Sequence, residues 1–357
     1  MTLKKRYNKL YLLLLGICLL YAACSEIVDL KTGEQQDQIV IYGKVTDGIA
    51  GNELSISLTS NVGGEQQPVD GAQAVLLEDG NPIGNYERYA RGKYRLNLNG
   101  DSARVGRQYE LMITLVDGRQ YKSEPAIMPD LAAIDRPRFD ASVVDVVVNQ
   151  AGLQVSRNLI QVFIDTEVID QERDFYLKWD TFEAYSFEER LRVQVPPVLP
   201  PPCYVINETT GQEIYLFNGE DIKVPFIRDQ LISSSEIDSR FAFDYYFSIV
   251  QTTMDKSAYE YWTLVDEISN SQGSIFDQPP APVPGNFRNV NVPKEEVLGY
   301  FEVVRSDTTR VRVRGDAIPF YISKPCPSIP PGTSEPPECT NCILIKNSTY
   351  RRPYYWF

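Results

Sequence analysis

The chain has 357 residues, with 35 basic and 48 acidic side chains, a formal charge of −13 and no histidine. That acidic balance, with no basic cluster beyond the first few residues, argues against nucleic acid as a partner. Without histidine, Ser-His-Asp, Cys-His and His-Glu-x-x-His sites cannot be built and the commonest zinc ligand is missing, so no metal or cofactor is expected.

The N-terminus carries an address. Lys4, Lys5, Arg6 and Lys9 precede an apolar run from Leu10 to Tyr21, and Ala22 and Ala23 then lead to Cys24. Twelve apolar residues are too few to cross a bilayer core of about 30 Å, so the run reads as a secretory signal ending in a lipobox. The small residues seat the scissile bond, and the Cys24 thiol takes the lipid. Tyr21 stands where a leucine is usual, although Leu20 is one place earlier, and Cys18 is a poor rival because Ile17 is bulky. Cleavage removes 23 residues, four basic and none acidic, leaving 334 residues and a formal charge of −17. That length predicts two domains or three. An anionic membrane surface repels such a chain, so attachment is expected through acyl chains such as palmitate, at about 0.8 kcal/mol per buried methylene. Residues 24–38 follow as a polar, acidic tether.

From 39 to 129, short alternating segments recur between turn signals. IVIYGKVTDG, ELSISLTSN, AQAVLLEDG, GKYRLNLNG and YELMITLVDG carry Asp-Gly and Asn-Gly pairs at their ends. Period-two alternation bounded by such pairs predicts antiparallel, half-buried strands. Residues 130 to about 250 continue in β, with VVDVVVNQ, NLIQVFIDTEV, FYLKWDTFEAYSF and FAFDYYFSIVQTT, and Trp179 suits the buried tryptophan of a second sandwich. Prolines between Pro196 and Cys203 interrupt the sheet signal.

A helix is predicted near 257–272. Ser257 and Glu260 fit a capping box, Ala258, Tyr261, Trp262, Val265 and Ile268 make one apolar face, and Gly273 offers a cap. The Tyr/Trp stripe reads as a face docked on a sheet, or as a platform on which a ligand stacks. Two strands, VLGYFEVVRSD and TRVRVRG, are expected next, with a turn at Asp307 and Thr308. The tail from 325 to 357 is rich in proline and ends in RRPYYWF. It is either pinned so that its aromatics cover the sheet, or it docks a partner.

Cys203, Cys326, Cys339 and Cys342 remain in the mature chain, an even number for an oxidising compartment, and allow three disulfide connectivities. Cys339-Thr-Asn-Cys342 also has the spacing of a redox pair or half a zinc site, but it follows a proline-rich stretch rather than opening a helix. The expected fold is mainly β: two consecutive β-sandwich regions, immunoglobulin-like or transthyretin-like, at 39–129 and 130–324, with one docked amphipathic helix.

The segments Tyr259–Trp262, Gly273–Pro280, Pro284–Asn286 and Val297–Phe301 resemble the signature of a Bacteroidota outer-membrane lipoprotein family, domain of unknown function 4249. Gly71–Val75, the Asp117-Gly118 hairpin through Tyr121, Cys339, Cys342, Pro353 and Trp356 fit the same order. The resemblance covers nearly the whole mature chain; Tyr354-Tyr355 depart from the acidic residue and Phe more usual there. It implies a surface-facing lipoprotein associated with a SusC-type TonB-dependent transporter, and it carries over no catalytic residue, only lipidation at Cys24. Ser25-Glu26 with Asp29 partly resembles the signal that sends such lipoproteins to the outer face, and equally reads as an ordinary linker. Asp101-Ser102-Ala103 and Asp307-Thr308-Thr309 fit the O-glycosylation pattern of exported Bacteroidota proteins, which makes Ser102 and Thr308 candidates in predicted turns.

The function expected is therefore non-catalytic: an accessory to nutrient binding and uptake, with Trp262, Tyr300 and Trp356 as candidate partner contacts. The rival is a structural, envelope-assembly or adhesion lipoprotein with no small ligand. A hydrolase built on paired carboxylates is a third reading, without a motif to mark it.

Overall fold

The computed structural model describes residues 38–48, 51–59, 66–98, 102–147, 152–170, 172–190, 201–208, 214–220, 222–270, 282–326 and 336–357. The leader, Cys24, residues 25–37, the prolines at 196–200 and Gly273 lie outside the described residues. Nine strands come first: β1 (Ile39–Thr46), β2 (Glu53–Leu58), β3 (Gln67–Pro68), β4 (Gln73–Glu78), β5 (Asn81–Ala90), β6 (Lys93–Asn97), β7 (Gln108–Thr114), β8 (Gln120–Ser123) and β9 (Ala126–Ile127). Next come β10 (Ala133–Val147), β11 (Gln154–Val168), β12 (Tyr176–Phe187), β13 (Cys203–Glu208), β14 (Tyr215–Asn218), β15 (Phe226–Glu236) and β16 (Tyr245–Met254). Helix α1 (Lys256–Asn270) and strands β17 (Phe287–Asn289), β18 (Phe301–Val313) and β19 (Ser348–Thr349) complete the order.

Alternation builds the first region. Leu54 and Ile56 of β2, Ala74 and Leu76 of β4, and Tyr109, Leu111 and Ile113 of β7 all turn into one core. The β4–β5 hairpin closes on Asp79 and Gly80 at φ 49° and 81°, the paired left-handed backbone that an Asp-Gly dipeptide favours. The ladder runs β17-β8-β7-β4-β5-β6-β2-β1 and continues through β18 into β16-β12-β13-β19. It folds over on itself in the first region: a methyl on Gly43 of β1 would stand 2.9 Å from Leu111 of β7, although those strands share no hydrogen bonds.

The second region is a sandwich. Its outer sheet, β10-β11-β15, lays Ile160, Val162 and Ile164 on a core made by Leu177, Trp179, Tyr245, Phe247 and Ile249 of the main ladder. Trp179 is buried there as expected, and its Nε1 donates to Asp135 at 2.7 Å.

The domain limits differ from the expectation. Residues 284–304 do not belong to the second region alone: Phe287, Val297, Phe301 and Val303 lie in the first core. β17 pairs with β8, and β18 runs parallel to β1 in the register Gly43↔Phe301 to Thr46↔Val304. The same β18 then pairs antiparallel with β16, from Arg305↔Thr253 to Val313↔Tyr245. The expected turn at Asp307-Thr308 is therefore absent. Asp-Thr-Thr has no glycine after the aspartate and two β-branched side chains in its place, and each region supplies a partner strand, so the strand runs on.

The helix also starts earlier than Ser257. Asp255 directly follows β16, and its Oδ1 accepts from the Ala258 amide at 2.8 Å, so Asp255 is the N-cap. Burial nonetheless raises the Asp255 carboxyl above its ordinary value. The tail is pinned. Disulfides join Cys203 to Cys342 and Cys326 to Cys339, β19 pairs with β13, and Trp356 lies against Tyr204 and Tyr246 at ring separations of 4.9 and 4.7 Å. The two cysteines of the CxxC thus bond to different partners, which removes the redox-pair and half-zinc readings. Among the described residues, no helix is long and apolar enough to cross a membrane.

Candidate functional site

Where β18 passes from one region to the other, a cleft of about 920 Å³ opens. Its floor is the outward face of β1 and the start of β18, because alternation turns Tyr42 and Lys44 away from the core and sets Lys44 opposite Glu302. One wall is α1, which follows β16 directly and lays Trp262 over the seam. Tyr89 of β5 joins the lining, and Glu208, Val250, Ser306 and Thr308 contribute from the second region.

The block from Pro284 to Phe301 positions this floor. The Ile41 amide donates to the Leu298 carbonyl at 2.8 Å and the Gly43 amide to that of Tyr300 at 2.9 Å, extending the parallel pairing ahead of β18. Asn286 clasps Phe301 from both sides, its Nδ2 donating to the Phe301 carbonyl at 2.8 Å and its Oδ1 accepting from the Phe301 amide at 2.7 Å. Gly299 has φ +91°, and a methyl there would overlap the Ile41 carbonyl oxygen; one on Gly285 would overlap that of Gly299. Only glycine permits this double crossing.

Of the charges lining the cleft, Lys44 and Glu302 are paired with each other and Glu53 with Arg95, while Lys93 has no ion pair among the described residues. Trp262 Nε1 donates to Glu302 at 3.1 Å, and Lys44 Nζ lies 3.6 Å from the same carboxylate. Lys178 Nζ sits 4.7 Å from the Trp262 ring centroid while held to Asp180 at 2.6 Å. Tyr261 stacks on Tyr300 at 4.4 Å, and burial, with nearby acidic groups, raises both phenols above their ordinary value, so they stay neutral near pH 7. Tyr42 and Tyr89 are 44% and 46% exposed, and the Arg95 guanidinium lies 4.4 Å from the Tyr89 ring centroid. Stacking and neutral hydrogen bonding are what this arrangement does best. A carboxyl pushed up by burial does exist, Asp135 at about 6, but it is closed inside the second core with Thr166 and Trp179 as partners. Glu189 stands beside the sulfurs of Cys203 and Cys342, yet those sulfurs are spent on a disulfide and make no metal site.

Of the residues singled out from sequence, Trp262 and Tyr300 come together in the cleft. Thr308 is exposed and lines the same cleft, from a strand rather than a turn, and Ser102 is exposed in the loop before β7. Trp356 is 7% exposed on a different part of the ladder, so the expectation of a partner contact there is corrected: it is a packing residue. Cys24 lies outside the described residues. Tyr42, Tyr89 and Glu302 were not anticipated. Tyr42 had a signal, an aromatic on the polar phase of an alternating strand. Glu302 had none until β18 was seen to lie beside β1.

A family model described as Domain of unknown function (DUF4249) matches residues 25–310. No curated protein and no solved structure matches the chain.

Proposed function

The chain belongs to the DUF4249 family, and from that premise we propose a non-catalytic lipoprotein, held at the outer membrane through acylated Cys24 and facing the cell surface. It captures a nutrient and works as accessory to a SusC-type TonB-dependent transporter of a Bacteroidota cell. The observation that carries the binding role is the aromatic cleft at the seam of the two regions, where Tyr42, Tyr89, Trp262 and Tyr300 surround paired charges. Clefts between structural regions are favoured ligand sites, and aromatic side chains set beside fixed polar groups suit that use. The leader motif supports the anchor, since the basic, apolar and small-residue segments stand in the order that lipidation requires.

The rival reading, a structural or adhesion lipoprotein without a small ligand, draws on the tail. Tyr354 and Phe357 are 82% and 80% exposed beside the anchored Trp356, a surface that suits another protein. Purification from chemically crosslinked envelopes in mild detergent separates the two. Co-elution of an outer-membrane barrel transporter is expected, with acylated Cys24 found by mass spectrometry. A chain isolated alone, or with only non-transport envelope proteins, favours the rival.

A further inference from the structure

We infer that the cleft takes a neutral oligosaccharide, an assignment of ligand class that rests on reading the cleft as a binding site. Its lining argues against the other classes in turn. An anionic ligand needs several unpaired cations converging on it, but Lys44 is paired with Glu302, and Lys93 is the one lining lysine without an ion pair among the described residues. A cationic ligand would need a free carboxylate, whereas Glu302 also accepts from Trp262 and Glu53 is paired with Arg95 at 3.2 Å. An extended peptide that adds to a sheet needs an open strand edge. The strands β6, β2 and β1 beneath this cleft are consecutive interior members of the ladder, and β18 is paired to β1 as far as Val304 and to β16 from Arg305 on.

What remains is a ligand with apolar faces and a neutral hydroxyl rim. A sugar ring is that object: its C–H face packs on an aromatic ring, and its hydroxyls both donate and accept. Tyr42 and Tyr89 are half-exposed in the lining, and Trp262 lines the same cleft. Ser55 and Thr308 add hydroxyls, and Ser306 Oγ is buried at the lining without a hydrogen-bond partner among the described residues. The volume of about 920 Å³ holds several rings rather than one.

The test uses the full chain in detergent against a printed array of neutral oligosaccharides, followed by titration of each retained sugar with tryptophan fluorescence as the readout. Trp179 and Trp356 are buried, so a shift reports Trp262. Retention of at least one neutral glycan is expected, with affinity about tenfold weaker in Tyr42→Ala and in Tyr89→Ala. No retained glycan, or binding indifferent to both substitutions, overturns the assignment. Peptides or anionic sugars that shift Trp262 fluorescence in place of neutral glycans overturn the ligand class while leaving a binding cleft standing. Sugar binding without a co-purifying transporter supports the class and removes the transporter from the proposed function.

Discussion

Asp135 shows how one side chain can make stability depend on acidity. Its carboxyl accepts from Thr166 Oγ1 at 2.6 Å and from Trp179 Nε1 at 2.7 Å, yet burial, aided by the negative charge of Asp307, raises it to about 6 from 3.8. The folded chain therefore holds this proton more tightly than the unfolded one. Stability contributed by the group is present below about pH 4 and is lost as pH rises toward 6, by roughly 3 kcal/mol at most. Asp135→Asn keeps an oxygen for Trp179 and an amide donor for Thr166 while removing the charge. The variant is expected to exceed the parent in unfolding free energy at pH 7.5 and to lose that margin at pH 4.5. Denaturant titrations at the two values check it, and a margin that does not change with pH would refute the account.

At the scale of elements, the glycines before β18 matter most. Gly299→Ala must place a Cβ against the Ile41 carbonyl oxygen at a left-handed φ, so a loss of about 3 kcal/mol or more is expected. Gly118→Ala, at φ +87° but with open space around it, is expected to cost only about 1–2 kcal/mol from backbone strain. Comparing the two midpoints in urea isolates the crossing from the strain, and equal losses would show that the crossing contributes nothing. The same contrast explains what could be read in advance. The strands of the first region were legible because alternation and Asp-Gly turns coincide, and α1 because its apolar face recurs at three and four. β15 escaped because Arg228, Asp229, Gln230 and the serine run break the alternation; its pairing with β11 slips twice, and Asp229 stands at φ 58°. The spacing of Ser257 to Glu260 fits a capping box, but Asp255 accepts from the first free amides. The cleft was half legible: Trp262 and Tyr300 stand out as aromatics, but their neighbours Tyr42 and Glu302 depend on a strand pairing some 260 residues apart in sequence.

Across the whole molecule, two cross-links close loops of very different size. The Cys203–Cys342 bridge spans 139 residues and the Cys326–Cys339 bridge 13. By loop entropy, taken singly, they restrict the unfolded chain by about 5 and about 3 kcal/mol. Replacing the first pair with serines is expected to destabilise more than replacing the second. It should also release the tail, which near-ultraviolet dichroism would register as loss of the Trp356 signal; an equal or reversed order would show that loop size does not govern these bridges. The seam has a mechanical consequence as well. β1, the first described strand, is clamped between β2 and the parallel β18, and β18 in turn pairs with β16 of the second region. A load applied along the axis of β1 meets its rungs side by side, all bearing at once, instead of opening them singly from one end. Traction on the chain ahead of Ile39 is thereby shared with β18, and through it with both cores.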